Sequence, residues 1–337
     1  MDTSKRRIDE FERAPDYPLV TAVVTTYDRF EEAKRAIESA RAQTYESLEI
    51  IVVEDGTNSG IENWVAEHGY DDIRYVKHDE NQGLSAARNT AISMASGSYI
   101  GFLDDDDEWK PRRVERQVRK LGNLTPEQRE QLAVVYCAVE AHENGRVASV
   151  IHPENEGNLR EAIKRDGPST LQSSFLFSKA ALEAVGGFDE HLQSSVDHDI
   201  WLSLADHGFH ACTVPEALVI SYDDFSDSMM TNTDSRIKGV RQFVEKWRPT
   251  YYEWFGDDEG ERRIQQYFAR IIGRLAAAKF VTGELGEARK ATRAIFDESD
   301  ETAYNVRVLL ILLAESAVKR FFPPAVVRFF SRARRRV

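Results

Sequence analysis

Residues Tyr99–Asp107 read YIGFLDDDD, an apolar run closed by four consecutive aspartates. Tyr99–Leu103 has the length and composition of a buried strand. The same grammar recurs upstream. Leu19–Thr25 (LVTAVVT), Ile50–Val53 (IIVV) and Ile73–Lys77 (IRYVK) are short runs rich in β-branched residues. Helical spacing separates them. Phe30–Gln43 places Ala33, Ile37 and Ala40 on one face, Ile61–His68 follows the second run, and Leu84–Ala95 is a small-residue helix stopped by Ser96-Gly97. Pro111 stands where a helix can begin, and Arg112–Leu121 continues it. Strand alternating with helix through residue 121 predicts an α/β fold, a parallel sheet with helices on both faces.

Downstream the alternation breaks. Ala133–Ala141 and Arg146–Ile151 read as strands around the hairpin dipeptide Asn144-Gly145. Ser174–Ser178 is a further strand, Ala180–Val185 a short helix stopped by Gly186-Gly187, Ile200–His207 a helix and Ala217–Tyr222 a late strand. From Arg236 the pattern is mostly helical, with Ile264–Val281 and Leu285–Phe296 paired across Thr282-Gly283. The expected organisation is an N-terminal arm (1–17), a first half (18–121), a second half packed on it (122–235), a helical extension (236–318) and a basic amphipathic tail (319–337).

Composition narrows the class. With 44 Lys+Arg against 57 Asp+Glu the formal charge is −13, so no nucleic-acid partner is expected. Of the basic residues 32 are Arg and only 12 Lys; excess carboxylate with scarce Lys suits a protein hydrated in concentrated salt, a halophile. The charge is uneven. After Glu315 there are seven basic residues and no acidic one. Two cysteines, Cys137 and Cys212, make neither a disulfide framework nor a zinc site. The N-terminus has no apolar signal core, and the longest apolar stretch, Val308–Ala314, is far short of the roughly 20 residues that span a bilayer. A cytoplasmic protein, peripheral at the inner membrane face, is expected.

In an open parallel sheet, ligands bind beyond the carboxyl ends of the strands. There the chain places Thr25-Thr26-Tyr27-Asp28-Arg29, Glu54-Asp55-Gly56-Thr57, His78-Asp79-Glu80-Asn81 and Asp104-Asp105-Asp106-Asp107. Packed aspartates repel one another and call for a counter-ion. Hard oxygen ligands suit Mn²⁺ or Mg²⁺, with remaining positions left to water and substrate phosphate. No G-x-x-x-x-G-K-[ST] or G-x-G-x-x-G loop is present, which argues against a kinase, an ATPase or a dinucleotide dehydrogenase.

An ordered set of blocks resembles the family 2 glycosyltransferases, inverting enzymes of the GT-A fold. It comprises VVTTYDR (Val23–Arg29), QTYESLEIIVVEDGT (Gln43–Thr57), NQGLSAARNTAI (Asn81–Ile92), GSYIGFLDDDDEW (Gly97–Trp109), GGFDE (Gly186–Glu190) and DHDIWLSL (Asp197–Leu204). The resemblance implies a GT-A-like, mostly parallel sheet flanked by helices, with a helical C-terminal extension. It implies transfer of a sugar from a nucleotide-diphosphate sugar to a sugar or lipid-linked acceptor. It further implies that Thr25, Tyr27 and Asp55 contact the nucleotide, Asp55 at the base. Asp104 and Asp106 are the D-x-D pair, with Asp104 also at the ribose. Gly83, Arg88 and Asn89 shape the donor pocket, although Arg88 can equally brace the carboxylates. Asp197 is the general base, and it can also cap the helix it opens.

Some positions depart from the family pattern. Asp28 stands where Asn is usual, Glu54 where Asp is usual, and Asp105 at the variable D-x-D position. Val196 replaces the Glu that often precedes the base, which leaves Asp199 as an alternative base. Separately, Tyr222-Asp223-Asp224 occupies the region where some relatives carry a late His near the metal, which offers Asp224 as its substitute. The tail interleaves Phe321, Phe322, Val326, Val327, Phe329 and Phe330 with arginines, a pattern that suits an anionic membrane surface. A catalytically silent nucleotide-sugar-binding scaffold and a sugar nucleotidyltransferase are the competing readings.

Overall fold

The computed structural model describes residues 18–143, 145–167, 172–222 and 232–321. The expected N-terminal arm and residues 322–337 of the expected tail lie outside them.

Five strands and four helices form the first half. They are β1 (Val20–Thr26), α1 (Phe30–Arg41), β2 (Leu48–Glu54), α2 (Ile61–Glu67), β3 (Ile73–Lys77), α3 (Leu84–Met94), β4 (Tyr99–Asp104), β5 (Asp107–Trp109) and α4 (Arg113–Gly122). The second half holds α5 (Pro126–Glu130), β6 (Leu132–Glu143), β7 (Arg146–Ile151), β8 (Gly157–Asn158), α6 (Leu159–Asp166), β9 (Phe175–Ser178), α7 (Lys179–Ala184), α8 (Val196–Asp206) and β10 (His210–Tyr222). Helices α9 (Thr233–Phe255), α10 (Asp257–Thr282), α11 (Leu285–Glu298) and α12 (Thr302–Phe321) follow.

The strands make one sheet in the order β3-β2-β1-β4-β9-β6-β10-β5, with β7 beside β6 and β8 beside β10. Pairs β3-β2, β2-β1 and β1-β4 are parallel. Strand β9 runs antiparallel to both β4 and β6, and β10 is parallel to β6. Strands β6 and β10 therefore point the same way as β1, and the sheet is mostly parallel, as expected. The chain leaves β1 for β2 on one side and returns with β4 on the other. That reversal makes a switch-point crevice at the carboxyl ends of β1 and β4.

Alternate residues of β1 enter opposite cores. Val20, Ala22 and Val24 pack with Ile37, Trp64 and Val114, whereas Val23 joins the other face. That second core is continuous from Phe102, Phe175 and Phe177 on the sheet, through Trp201 on α8, to Phe243, Trp247, Phe268 and Ile295 on α9–α11. The extension thus shares a core with the sheet.

The hairpin expected from Ala133–Ala141 and Arg146–Ile151 is the β6-β7 pair. Two boundaries differ. The late strand begins at His210, seven residues before Ala217. Pro215 reads as a strand breaker, but it sits where the β10-β6 register shifts between Val214 and Ala217, and such an irregularity tolerates a missing N–H. The helix expected from Ile200 begins at Val196. Its cap position is Ser195, in the left-handed region at φ 65°, with no side-chain cap. Asp197 is thus inside the first turn and does not cap the helix.

Candidate active site

The register of β1 with β4 sets Thr25 opposite Asp104. The polar residues after the two strands therefore meet at the switch point. Thr26 donates Oγ1–H to Asp105 at 2.9 Å. The Arg29 guanidinium binds Asp105 at 3.1 Å and Asp106 at 3.0 Å. Nothing in the spacing of Val23–Arg29 shows that the one cation, Arg29, serves two carboxylates.

Asp104 belongs to a second charge network. Arg88, on α3 and fully buried, donates Nη2–H to Asp104 at 2.9 Å and Nη1–H to Asp197 at 2.8 Å. Its guanidinium centre lies 5.1 Å from the Phe188 ring centroid and 5.8 Å from that of Phe102. Neighbouring charge explains why so buried an Arg keeps its proton. Burial pulls its pKa down, but Asp197 and Asp104 more than reverse this. Burial raises the Asp197 carboxyl above the ordinary range, and Arg88 opposes that rise.

The remaining aspartates are crowded. Burial raises Asp105 to about 6 against the pull of Arg29. Asp107 is pushed up to about 8 by burial and by the charges of Asp104 and Asp106. Burial and Asp104 also raise Asp106. Such a site fits a divalent cation, which would relieve the repulsion. Among the described residues no three His, Cys, Asp or Glu side chains are grouped to hold a metal by themselves. Asp104 and Asp106 would leave most of the coordination shell to water and substrate phosphate, the usual habit of Mg²⁺.

Asp55 is wrapped by the next loop. Its Oδ1 accepts from the Gln82 N–H at 2.9 Å and from His78 Nδ1 at 2.8 Å, and its Oδ2 accepts from the Gly83 N–H at 2.8 Å. Gly56 has to be glycine here. It sits at φ +78°, and a Cβ would lie 2.1 Å from the Asn81 backbone nitrogen. Glu54 is a structural latch that accepts from Thr57 and from the Ser59 N–H, each at 2.7 Å, and from Tyr75. Tyr27 is 52% exposed beside these loops, free to meet a ligand.

Asn89 is committed to the Gly186–Glu190 loop. It donates to Phe188 O at 2.8 Å and to Glu190 at 2.7 Å, and it accepts from the Phe188 N–H at 2.9 Å. Asp199 is no alternative base, because it is 2% exposed and accepts from Trp247 Nε1 at 2.8 Å and Lys246 at 2.7 Å. Asp224 lies outside the described residues.

A cleft of about 320 Å³ opens beside the aspartate run, lined by Asp104, Asp106, Asp107, Gln172, Ser173, Ser221 and Tyr222, with Val139, Ala141 and Ile151 on an apolar wall. Gln172 and Ser173 escaped the sequence reading because β9 runs backward. In a reversed strand the residues before it, not after it, reach this sheet edge. Ser173 accepts from the Asp104 N–H at 3.2 Å. The segment is pinned from α4, where Gln117 donates to Ser174 O and Arg113 to Phe175 O, each at 2.8 Å. The Gln172 amide is buried and has no hydrogen-bond partner among the described residues.

This sheet with its acidic switch point is the architecture of the GT-A glycosyltransferases. Two solved structures share the fold. Mannosyltransferase PcManGT from Pyrobaculum calidifontis, in complex with GDP-Man and Mn²⁺, aligns with a TM-score of 0.54 and 18% identity over 94% of this chain and 93% of that one. Staphylococcus aureus TarS 1–349, in complex with UDP-GlcNAc, aligns with a TM-score of 0.57 and 16% identity over 94% of this chain and 91% of that one. Residues 21–183, just under half of the chain, match the family described as glycosyl transferase family 2. The putative colanic acid biosynthesis glycosyl transferase WcaA of Escherichia coli is 27% identical over 239 residues, 69% of this chain and 83% of WcaA. An uncharacterized glycosyltransferase of Rickettsia bellii is 32% identical over 194 residues, 56% of this chain but 27% of that protein. The chain thus spans well under two thirds of some curated relatives.

Proposed function

We propose that the protein transfers a sugar, with inversion, from a nucleotide-diphosphate sugar to a lipid-linked sugar or lipid phosphate. The observation that carries this reading is the Arg88 bridge, which joins Asp104 of the D-x-D pair to Asp197, itself 109 residues from Arg88 in sequence. The donor-side and acceptor-side acids are thus held by one guanidinium, close enough together to serve a single displacement. The donors named with the two solved structures, GDP-Man and UDP-GlcNAc, support a nucleotide-sugar substrate.

In this reading Thr25, Tyr27 and Asp55 receive the nucleotide, and Asp104 receives the ribose. Gly83 and Asn89 shape the pocket through the Asp55 loop and the Gly186–Glu190 loop. A Mn²⁺ or Mg²⁺ ion held by Asp104 and Asp106 would supply charge neutralisation for the leaving diphosphate. The acceptor oxygen forms the new bond to the anomeric carbon as the bond to the diphosphate oxygen breaks. Asp197 takes the acceptor's proton, and its raised pKa makes it a stronger base than an ordinary Asp. A lipid phosphate, with a second pKa of about 6, arrives largely ionised, so positioning dominates for that acceptor.

A membrane-surface location accords with a lipid-linked acceptor. Among the described residues no helix is long and apolar enough to cross a membrane. Helix α12 does expose Val306, Leu310 and Ile311. The test is a panel of nucleotide sugars with Mn²⁺, scored for nucleoside-diphosphate release with polyprenyl-phosphate, lipid-linked-sugar and free-sugar acceptors. Acceptor-dependent release from one donor is the expected result. Binding of a nucleotide sugar without turnover on any acceptor would leave the scaffold reading in its place.

A further inference from the structure

Asp197 is followed by His198 and Asp199, and the three side chains serve different neighbours. Successive helical positions point about 100° apart, so consecutive residues cannot share a face. Asp197 turns to Arg88. His198 turns to the helical extension, where its Nδ1 lies 2.7 Å from the Tyr267 hydroxyl of α10. Its ring meets Tyr267 edge-on at 5.1 Å, and Tyr267 is itself stacked on Phe243 of α9 at 4.6 Å. Asp199 turns to α9, where it accepts from Trp247 and Lys246. Lys246 also binds Asp189 at 2.7 Å, in the loop that Asn89 holds.

The approach to α8 is gripped as well. Ser195 takes a left-handed conformation that L-residues adopt only when their surroundings impose it. Next to it, Arg236 of α9 donates to Ser194 Oγ at 2.5 Å. Gly239 lets the α9 backbone touch this loop, since a Cβ there would lie 2.5 Å from Ser194 Cβ. Buried polar pairs add little stability over apolar contacts of the same volume, but they fix direction. Burial and the charges of Arg270, Arg236 and Arg274 push His198 down to about 3, so its bond to Tyr267 does not titrate in the working range.

We propose that the helical extension is a working part of the transfer site, with Tyr267, Trp247 and Lys246 as positioning residues that set the depth and angle of α8 and hence of the Asp197 carboxylate. This rests on Asp197 being the base. A misplacement of about 1 Å at a reacting group can cost on the order of a hundredfold in rate.

Tyr267→Phe removes the hydroxyl and keeps the ring stack, and Trp247→Phe removes the indole N–H. Lys246→Met alters an exposed residue and leaves the core packing intact. Each is made in the full chain and assayed with whichever of GDP-mannose and UDP-N-acetylglucosamine the wild type turns over. Transfer kcat is expected to fall about tenfold in each, with donor KM within about twofold of wild type. In an Asp197→Asn background, Tyr267→Phe and Lys246→Met should cost nothing further, because a positioning residue acts only through the group that it positions. Losses that multiply with that of Asp197→Asn, or an unchanged kcat in all three single variants, would overturn the proposal. Wild-type transfer by Asp197→Asn alone would instead remove the base assignment and the clamp with it.

Discussion

Nη1 of Arg88 lies 2.8 Å from Oδ1 of Asp197, while the other terminal nitrogen of the same guanidinium holds Asp104 at 2.9 Å. One buried cation thus carries two carboxylates from opposite halves of the fold. Removing it leaves both acids crowded and unpaired. Arg88→Met is expected to cost about 3–5 kcal/mol of stability, the usual penalty for breaking a buried pair. Transfer should fall at least a hundredfold. Denaturant unfolding and a transfer assay measure the two effects. A variant as stable as wild type would show that the bridge is dispensable.

Asp197→Asn should lower transfer to a sugar hydroxyl by about 10²- to 10⁴-fold, the span attributed to a general base. Donor affinity, read by calorimetry, should stay within a few-fold. The wild-type pH profile carries a second sign. The base must be ionised, and burial holds Asp197 above the ordinary Asp value of 3.8. Activity should therefore begin to fall on the acid side at a higher pH than an exposed Asp would dictate. In Arg88→Met that limb should move higher still, because the opposing positive charge is gone.

The acidic cleft predicts an unusual pH dependence of stability. Asp107 is raised from 3.8 to about 8 in the folded chain. The folded state therefore holds this proton more tightly than the unfolded one. That stabilising contribution is full below about 4 and is lost as pH rises through about 8. In the metal-free protein Asp107→Asn should flatten this dependence and raise stability at pH 8 by several kcal/mol relative to wild type. Mn²⁺ should raise the wild-type melting temperature more at pH 8 than at pH 5.5, since protons compete with it. Equal metal stabilisation at both values would count against a cation at these aspartates.

Legibility in the sequence followed the direction of the chain. Strands β1 to β4 each end in polar residues at one sheet edge, so Thr25, Asp55, Asp104 and Asp106 could be read from strand periodicity and family blocks. Gln172 and Ser173 could not, because they precede a reversed strand whose pairing with β4 is non-local. The start of α8 was hidden for another reason. Val196-Asp197-His198-Asp199 is polar at three of four positions, and its partners lie on α3, α9 and α10, where no local period records them. Bracing of carboxylates is one of the two readings that the sequence allows Arg88, but its span to Asp197 depends on packing between halves.

The membrane reading makes the remaining prediction. The motivating pattern is the run after Glu315, with seven basic residues and none acidic, interleaved with phenylalanines. Arginines near an anionic surface contribute about 1 kcal/mol each at moderate ionic strength. In molar salt, with a Debye length of about 3 Å, most of that is screened and the apolar residues must carry the attachment. Helix α12 adds Val306, Leu310 and Ile311, each at least 38% exposed, to the available apolar surface. The full chain should float with phosphatidylserine-containing liposomes at low salt, and a chain shortened to Phe321 should stay at the bottom of the gradient. Replacing Val306, Leu310 and Ile311 by Ser should weaken flotation of the full chain in molar salt more than at low salt, because only there does apolar contact act alone. If the shortened and full chains float equally, or neither floats at any salt concentration, the tail is no anchor and the lipid-linked acceptor loses its support.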